Sequence, residues 1–136
     1  MQILKKRSLL DSFAILALLK KEDNYQHILD LLKQAKRGER HLIMNQINAG
    51  EVYYLVFKRK LTNDVDKFWR AFLMLPIEFI GNDFDLVIEA AKIKSQYAIS
   101  FPDCFAVVTA IKEGASIVTG DPEFKKVEKR VKIDWI

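Results

Sequence analysis

Ser8-Leu9-Leu10-Asp11-Ser12-Phe13-Ala14-Ile15-Leu16-Ala17-Leu18-Leu19 decides the fold. It reads as a short apolar strand that stops at an acid and runs directly into an apolar helix. In an open α/β sheet, ligands sit in the crevice at the carboxyl ends of the strands, so Asp11 marks the first corner of a candidate acidic site. Glu51, Asp103 and Asp121 are the positions that belong with it.

Working outward, the helix opened by Ser12 runs to about Lys20, and its nearly continuous apolar sequence predicts burial on most sides. A second helix, about Asp23 to Arg37, carries Tyr25, Ile28, Leu29 and Leu32 on one face and ends at Gly38. His41-Leu42-Ile43-Met44 reads as a buried strand. It leads into a helix from about Gln46 to Lys60, then one from about Asn63 to Leu75 with Val65, Phe68, Trp69 and Phe72 on one side, stopped by Pro76. Ile77 to Ile80 is the third strand. Asp83 caps a helix whose Phe84, Val87, Ile88 and Ala91 share a face. Ser100-Phe101-Pro102-Asp103 opens an apolar helix that Gly114 closes, and Ser116 to Thr119 is the next strand. After Gly120-Asp121-Pro122 comes a short charged helix, and Val131, Ile133 and Trp135 alternate as an edge strand. Strands separated by helices imply a parallel sheet covered on both faces, a three-layer sandwich.

The 136 residues, half of them apolar, suffice for one domain spanning 1–136 with one sizeable core. No apolar run reaches the length of a membrane span. Met1 to Arg7 is basic, but the apolar stretch after it is broken by Asp11 and lacks a signal-peptide cleavage site, so the expected location is cytoplasmic. Cys104 is the single cysteine, which excludes an intramolecular disulfide and a thiolate metal cluster and reads as a buried helical side chain. The formal charge is +4, from 22 basic and 18 acidic residues. Withdrawing four acids into one site leaves 22 cations against 14 acids, a balance of +8, on a surface that would attract a phosphate backbone or simply keep the protein solvated.

Each Asp also has a local explanation. Asp11 and Asp121 precede helices, where Asp is a favoured N-cap, and Asp103 stands at capping-box spacing from Ser100. Glu51 lies inside a helix, one turn from Ile47 and Leu55 and three residues before Tyr54, so it points toward the apolar side and requires either a site or a buried Lys or Arg partner. The joint pattern favours a site. A parallel sheet brings two strand-end acids and one helix-opening acid to the same edge, and a flanking helix adds Glu51. Hard carboxylate oxygens at that density match Mg²⁺ or Mn²⁺. His27 and His41 lie elsewhere without ligand spacing and read as surface or structural residues, which argues against zinc.

LLDSFAILALL, NAGEVYYLV, FPDCFAVVTA and IVTGDPEF, in this order and at these intervals, resemble the four acidic motifs of the PIN-domain family, and the chain's size resembles its VapC-type toxins. The resemblance implies a five-stranded parallel sheet of order 3-2-1-4-5. It also implies a Mg²⁺- or Mn²⁺-dependent endoribonuclease in which water attacks phosphorus and leaves a 5′-phosphate and a 3′-hydroxyl. Carried over, the acids are Asp11, Glu51, Asp103 and Asp121, as both catalytic and metal-binding residues, with Ser12 and Thr119 as accompanying hydroxyls that serve metal and water or else act as ordinary caps. The chain departs from the pattern at Phe13, where a small residue is usual, and at Lys5-Lys6, which interrupt the apolar first strand.

The same acids would fit a DNA nuclease, a phosphoacceptor receiver or a non-catalytic RNA-binding module. The chain lacks an arch or clamp for the first and the paired acids of the second, while all four acids argue against the third. The toxin resemblance implies RNA as substrate and an antitoxin that lays an amphipathic segment over the groove of the first helices and inserts a basic residue among the acids. The aromatic-rich stretches Tyr53, Tyr54, Phe57 and Phe68, Trp69, Phe72 serve either the core or a homodimer interface.

Overall fold

A computed structural model describes residues 5–136. The strands are β1 (Lys6–Leu10), β2 (Arg40–Asn45), β3 (Glu78–Ile80), β4 (Ser116–Thr119) and β5 (Ile133–Trp135). The helices are α1 (Ser12–Leu19), α2 (Tyr25–Lys36), α3 (Gln46–Lys58), α4 (Val65–Leu73), α5 (Phe84–Gln96) and α6 (Phe101–Glu113), and a 3₁₀ segment spans Pro122–Val127. All four strand pairings are parallel, in the order β3-β2-β1-β4-β5, as the motifs imply. The central strand is β1: Leu9 pairs with Ile43 on one side and Ile117 on the other.

Period-two alternation sorts the strand residues into two apolar layers. Leu9, Ile43 and Ile117 face α5 and α6, packing with Ala90, Ile93 and Phe105. Leu10, Leu42, Met44 and Val118 face the other way, against Ala14, Ile15, Ile28, Val52 and Phe72 of α1 to α4. The first of these layers centres on α6, whose residues from Asp103 to Ala110 are all buried. Ser100 caps α6, Pro102 occupies its first turn and Gly114 leaves it in a left-handed conformation (φ 62°) that a residue without Cβ adopts at little cost. The two lysines that interrupt the first-strand pattern cost the fold little, since Lys6 is exposed at the strand's start.

Three helix faces differ from the expected ones. On α5 the buried residues are Leu86, Ala90 and Ile93, whereas Phe84 is exposed and only Val87 of the expected stripe packs on the core. Both stripes have helical spacing, and the one centred on small Ala90 allows closer approach to α6. On α2, Leu31 joins Ile28 and Leu32 while Tyr25 sits at the margin. On α3 the buried face is Asn48, Ala49, Val52 and Val56, so Ile47, Glu51 and Tyr54 lie at its rim and not among apolar neighbours. The segment after Asp121 winds as a 3₁₀ helix that buries Phe124 and Val127, and Val131 packs just outside β5.

Candidate metal centre

The site stands where β1 and β4 end. Asp11, 1% exposed, accepts the Ala14 N–H at 2.9 Å through Oδ1, the cap expected of it. Its other oxygen accepts the Thr119 hydroxyl at 2.5 Å, a contact that capping does not require. Thr119 Oγ1 in turn accepts the Asp121 N–H at 3.0 Å, and Asp121 Oδ1 accepts the Glu123 N–H at 3.0 Å. One continuous chain of hydrogen bonds therefore fixes the ends of β1 and β4. Across the site, the Ser12 hydroxyl donates to Glu51 Oε1 at 2.6 Å, joining α1 to α3. The partner of Glu51 is this hydroxyl; no lysine or arginine pairs with it among the described residues.

Asp103 is 6% exposed, in the first turn of α6. The capping contact there runs from its backbone N–H to Ser100 Oγ at 3.3 Å, so the cap role at this turn belongs to Ser100. One carboxylate oxygen from each of Asp103, Asp121 and Glu123 lies within 4.8 Å of the other two. Glu123 is the acid that sequence reasoning missed. Its signal was the two-residue spacing from Asp121, hidden in a run of charges that otherwise reads as a solvated helix. Asp11 and Glu51 stand outside this tight triple, near enough for their charges to bear on it: Asp11 feels Asp103 and Asp121, and Asp103 feels Glu51.

Burial, opposed by the Thr119 and Ala14 hydrogen bonds and reinforced by the charges of Asp103 and Asp121, pushes the Asp11 carboxyl up to about 7. Asp103 is also pushed up to about 7: burial is the main cause, Ser100 opposes it, and Asp121, Glu51 and Glu123 add like charge. Asp11 and Asp103 thus both feel the like charge of acids around them. An all-oxygen set of half-buried carboxylates fits a hard divalent cation, which would neutralise this repulsion. The histidines are elsewhere, His27 against Asp134 at 2.9 Å and His41 against Glu78 at 2.6 Å. Cys104 is buried and its thiol is pushed up by that burial, as befits a packing residue.

Two buried asparagines, also missed, hold the elements that carry the acids. Asn45 Nδ2 donates to Asn82 Oδ1 at 2.7 Å and to Thr109 Oγ1 at 2.9 Å, tying the end of β2 to α6. Asn48, one turn before Glu51, donates to the Pro102 carbonyl at 3.0 Å and so fixes α3 against the residue preceding Asp103. Their signal was a polar residue on the buried face of a helix or at the end of a strand, where it must find a partner.

Fold and site together define an α/β protein with a carboxylate cluster at the carboxyl edge of a parallel sheet. The family profile of the PIN domain matches residues 8–130, and the chain belongs to that family. No match was found among curated proteins. Among solved structures, VapBC2 from Rickettsia felis, bound to a DNA fragment from its promoter, is similar with a TM-score of 0.70 and 20% identity, covering 96% of this chain and 99% of that one. A toxin–antitoxin complex from Klebsiella pneumoniae gives 0.66 and 15%, with 95% and 99% covered. The sarcin-ricin loop cleaving toxin VapC20 of Mycobacterium tuberculosis gives 0.66 and 16%, with 87% and 92% covered.

Proposed function

We propose that this single-domain protein is a Mg²⁺- or Mn²⁺-dependent endoribonuclease, the cytoplasmic toxin of a toxin–antitoxin pair. The observation that carries the reading is the convergence of Asp103, Asp121 and Glu123 oxygens within 4.8 Å, with Asp103 and the neighbouring Asp11 both pushed up to about 7. Asp103 and Asp121, with Glu123, would hold the cation, and Asp11 and Glu51 would complete the negative wall. When bound, the ion supplies Lewis acidity toward a phosphodiester and lets water act as nucleophile near neutral pH. The chain's own part is orientation: Thr119 aims Asp11, Ser12 aims Glu51, and Ser100 sets the first turn that presents Asp103. The family membership and the toxins among the similar structures support the reading.

Cleavage of RNA in Mn²⁺, with none in chelator and recovery on adding the metal back, is the expected result. Cutting that persists in chelator would overturn the assignment. A surface balance of +8 outside four of the acids further predicts that RNA binding falls steeply with salt, with a log–log slope of about −0.7 for each phosphate neutralised on a single strand. An affinity unchanged between low and moderate salt in an anisotropy titration would point instead to apolar recognition.

An antitoxin fits the apolar grooves flanking α4. One is lined by Ile15, Leu18, Leu19, Phe68 and Leu75, the other by Ala49, Gly50, Tyr53, Trp69 and Phe79. Of the aromatic stretches, Phe72 is core, Trp69 stacks edge-on against Tyr53 at 5.0 Å, and Tyr54 and Phe57 remain exposed, which suits a homodimer interface. No helix among the described residues is long and apolar enough to cross a membrane.

A further inference from the structure

Phe13 is the second residue of α1 and the only member of its first turn and a half to face outward: Ala14, Ile15, Leu16 and Ala17 behind it are buried, while 41% of Phe13 is exposed. It lies two residues from Asp11 and next to Ser12, which holds Glu51. Its ring does not hang in solvent. The ring edge lies over Gly120, so close that a Cβ at that position would meet Phe13 Cε1 at 2.4 Å and Cζ at 2.9 Å. Gly120 joins Thr119 to Asp121 and has no positive φ that would call for glycine; a side chain there would meet the ring first and the Ile136 carbonyl oxygen next, at 3.2 Å. Gly120 therefore leaves a niche for a phenyl ring at the rim of the acid cluster, over the link between Thr119 and Asp121.

An exposed ring costs solubility and gives the core little, while a ring resting on backbone beside a phosphate site offers what an unpaired base requires, a flat apolar face with few rotatable bonds to order. We propose that Phe13 is the stacking platform for an unpaired nucleobase of the RNA, adjacent to the phosphate held at the acids. The proposal rests on the nuclease reading and assigns the substrate a single-stranded, unstacked segment at the cut.

The test compares a short fluorescein-labelled oligouridylate with an oligomer of the same length built of abasic ribose phosphates, by anisotropy in Ca²⁺ and by steady-state cleavage in Mn²⁺. Phe13→Leu keeps an apolar side chain on Gly120 and removes the π-face. It should weaken binding of the base-bearing oligomer about tenfold or more, raise KM in step, and leave affinity for the abasic oligomer unchanged. Phe13→Trp should bind at least as well as the wild type. Gly120→Ala, which leaves residue 13 in place but evicts its ring from the niche, should reproduce the Phe13→Leu loss, and circular dichroism would verify that each variant is folded. Equal losses on both oligomers, or none on either, would overturn the platform. The parent reading fails separately: a wild type that cuts no RNA in Mn²⁺ defeats both, whereas one that cuts with the same KM as Phe13→Leu defeats only the role of Phe13.

Discussion

Asn in place of Asp103 is expected to lower metal-dependent RNA cleavage by at least about a hundred-fold while leaving the fold intact, since loss of a cation-holding carboxylate removes several kcal/mol of charge stabilisation from the transition state. The fold survives because the helix cap at this turn runs from the Asp103 N–H to Ser100, which the substitution leaves alone. Asp11→Asn should be comparably inactive. An amide at position 11 can keep the Ala14 cap through its oxygen, and Thr119 can turn its hydroxyl to accept from the new NH₂. Glu51→Gln should behave similarly, with the Ser12 contact retained. The measurement is initial rate at matched Mn²⁺ and protein concentration, with a melting curve for each variant; two variants with wild-type turnover would sink the assignment.

The metal-free protein is expected to lose stability as pH rises from about 4 to 7. Asp11 and Asp103 have folded-state values of about 7 against an ordinary 3.8, so the folded state holds protons that the unfolded chain has released. For a raised carboxyl the stabilising contribution is complete below the unfolded value and is lost as pH climbs through the folded one. In chelator the melting temperature at pH 8 should therefore lie below that at pH 5, by roughly 5–10 °C if the two carboxyls together contribute on the order of 2 kcal/mol. Mn²⁺ should recover the loss at pH 8 and do much less at pH 5, where protons already neutralise the site. Asp103→Asn should melt higher than the wild type in chelator at pH 8 and respond weakly to the metal. Were Asp103 merely a helix cap, the same variant would melt lower, by about 0.5–2 kcal/mol, with no metal dependence. A flat pH profile in chelator would argue that neither burial nor like charge raises these carboxyls in the folded protein.

The centre of the sheet was the most legible part. Leu9-Leu10 and Ile117-Val118 are adjacent apolar pairs followed closely by an acid and a helix start, and a parallel sheet buried on both faces requires apolar side chains in both directions. Helix faces were harder to read. Phe84, Val87, Ile88 and Ala91 have the spacing of a buried stripe, yet the competing stripe of Leu86, Ala90 and Ile93 packs closer to α6, a choice that depends on the partner helix and so is not written in α5 alone. Glu51 was singled out for a burial it does not have: it is at the rim of α3, and its neighbours Ile47 and Tyr54 are partly exposed. Its gathering with the other acids followed from order along the chain. Glu123 escaped because an acid in a charged segment is unremarkable until the 3₁₀ turn at Pro122 swings it beside Asp121. Asn48 escaped because its partner is a backbone carbonyl, which no residue pattern announces.

The pairing of β1 with both β2 and β4 bears on when this protein can act. Asp11 comes early in this domain, but the hydroxyl that aims it belongs to Thr119, 108 positions later, and Asp121 follows after that. Until β4 slots beside β1, the early half of the chain has Asp11 and Glu51 with nothing opposite them. Such a distant contact is also among the last that a folding chain makes. A copy in which β4 has yet to pair therefore carries no assembled acid cluster, and the site comes into being only as the sheet closes around β1.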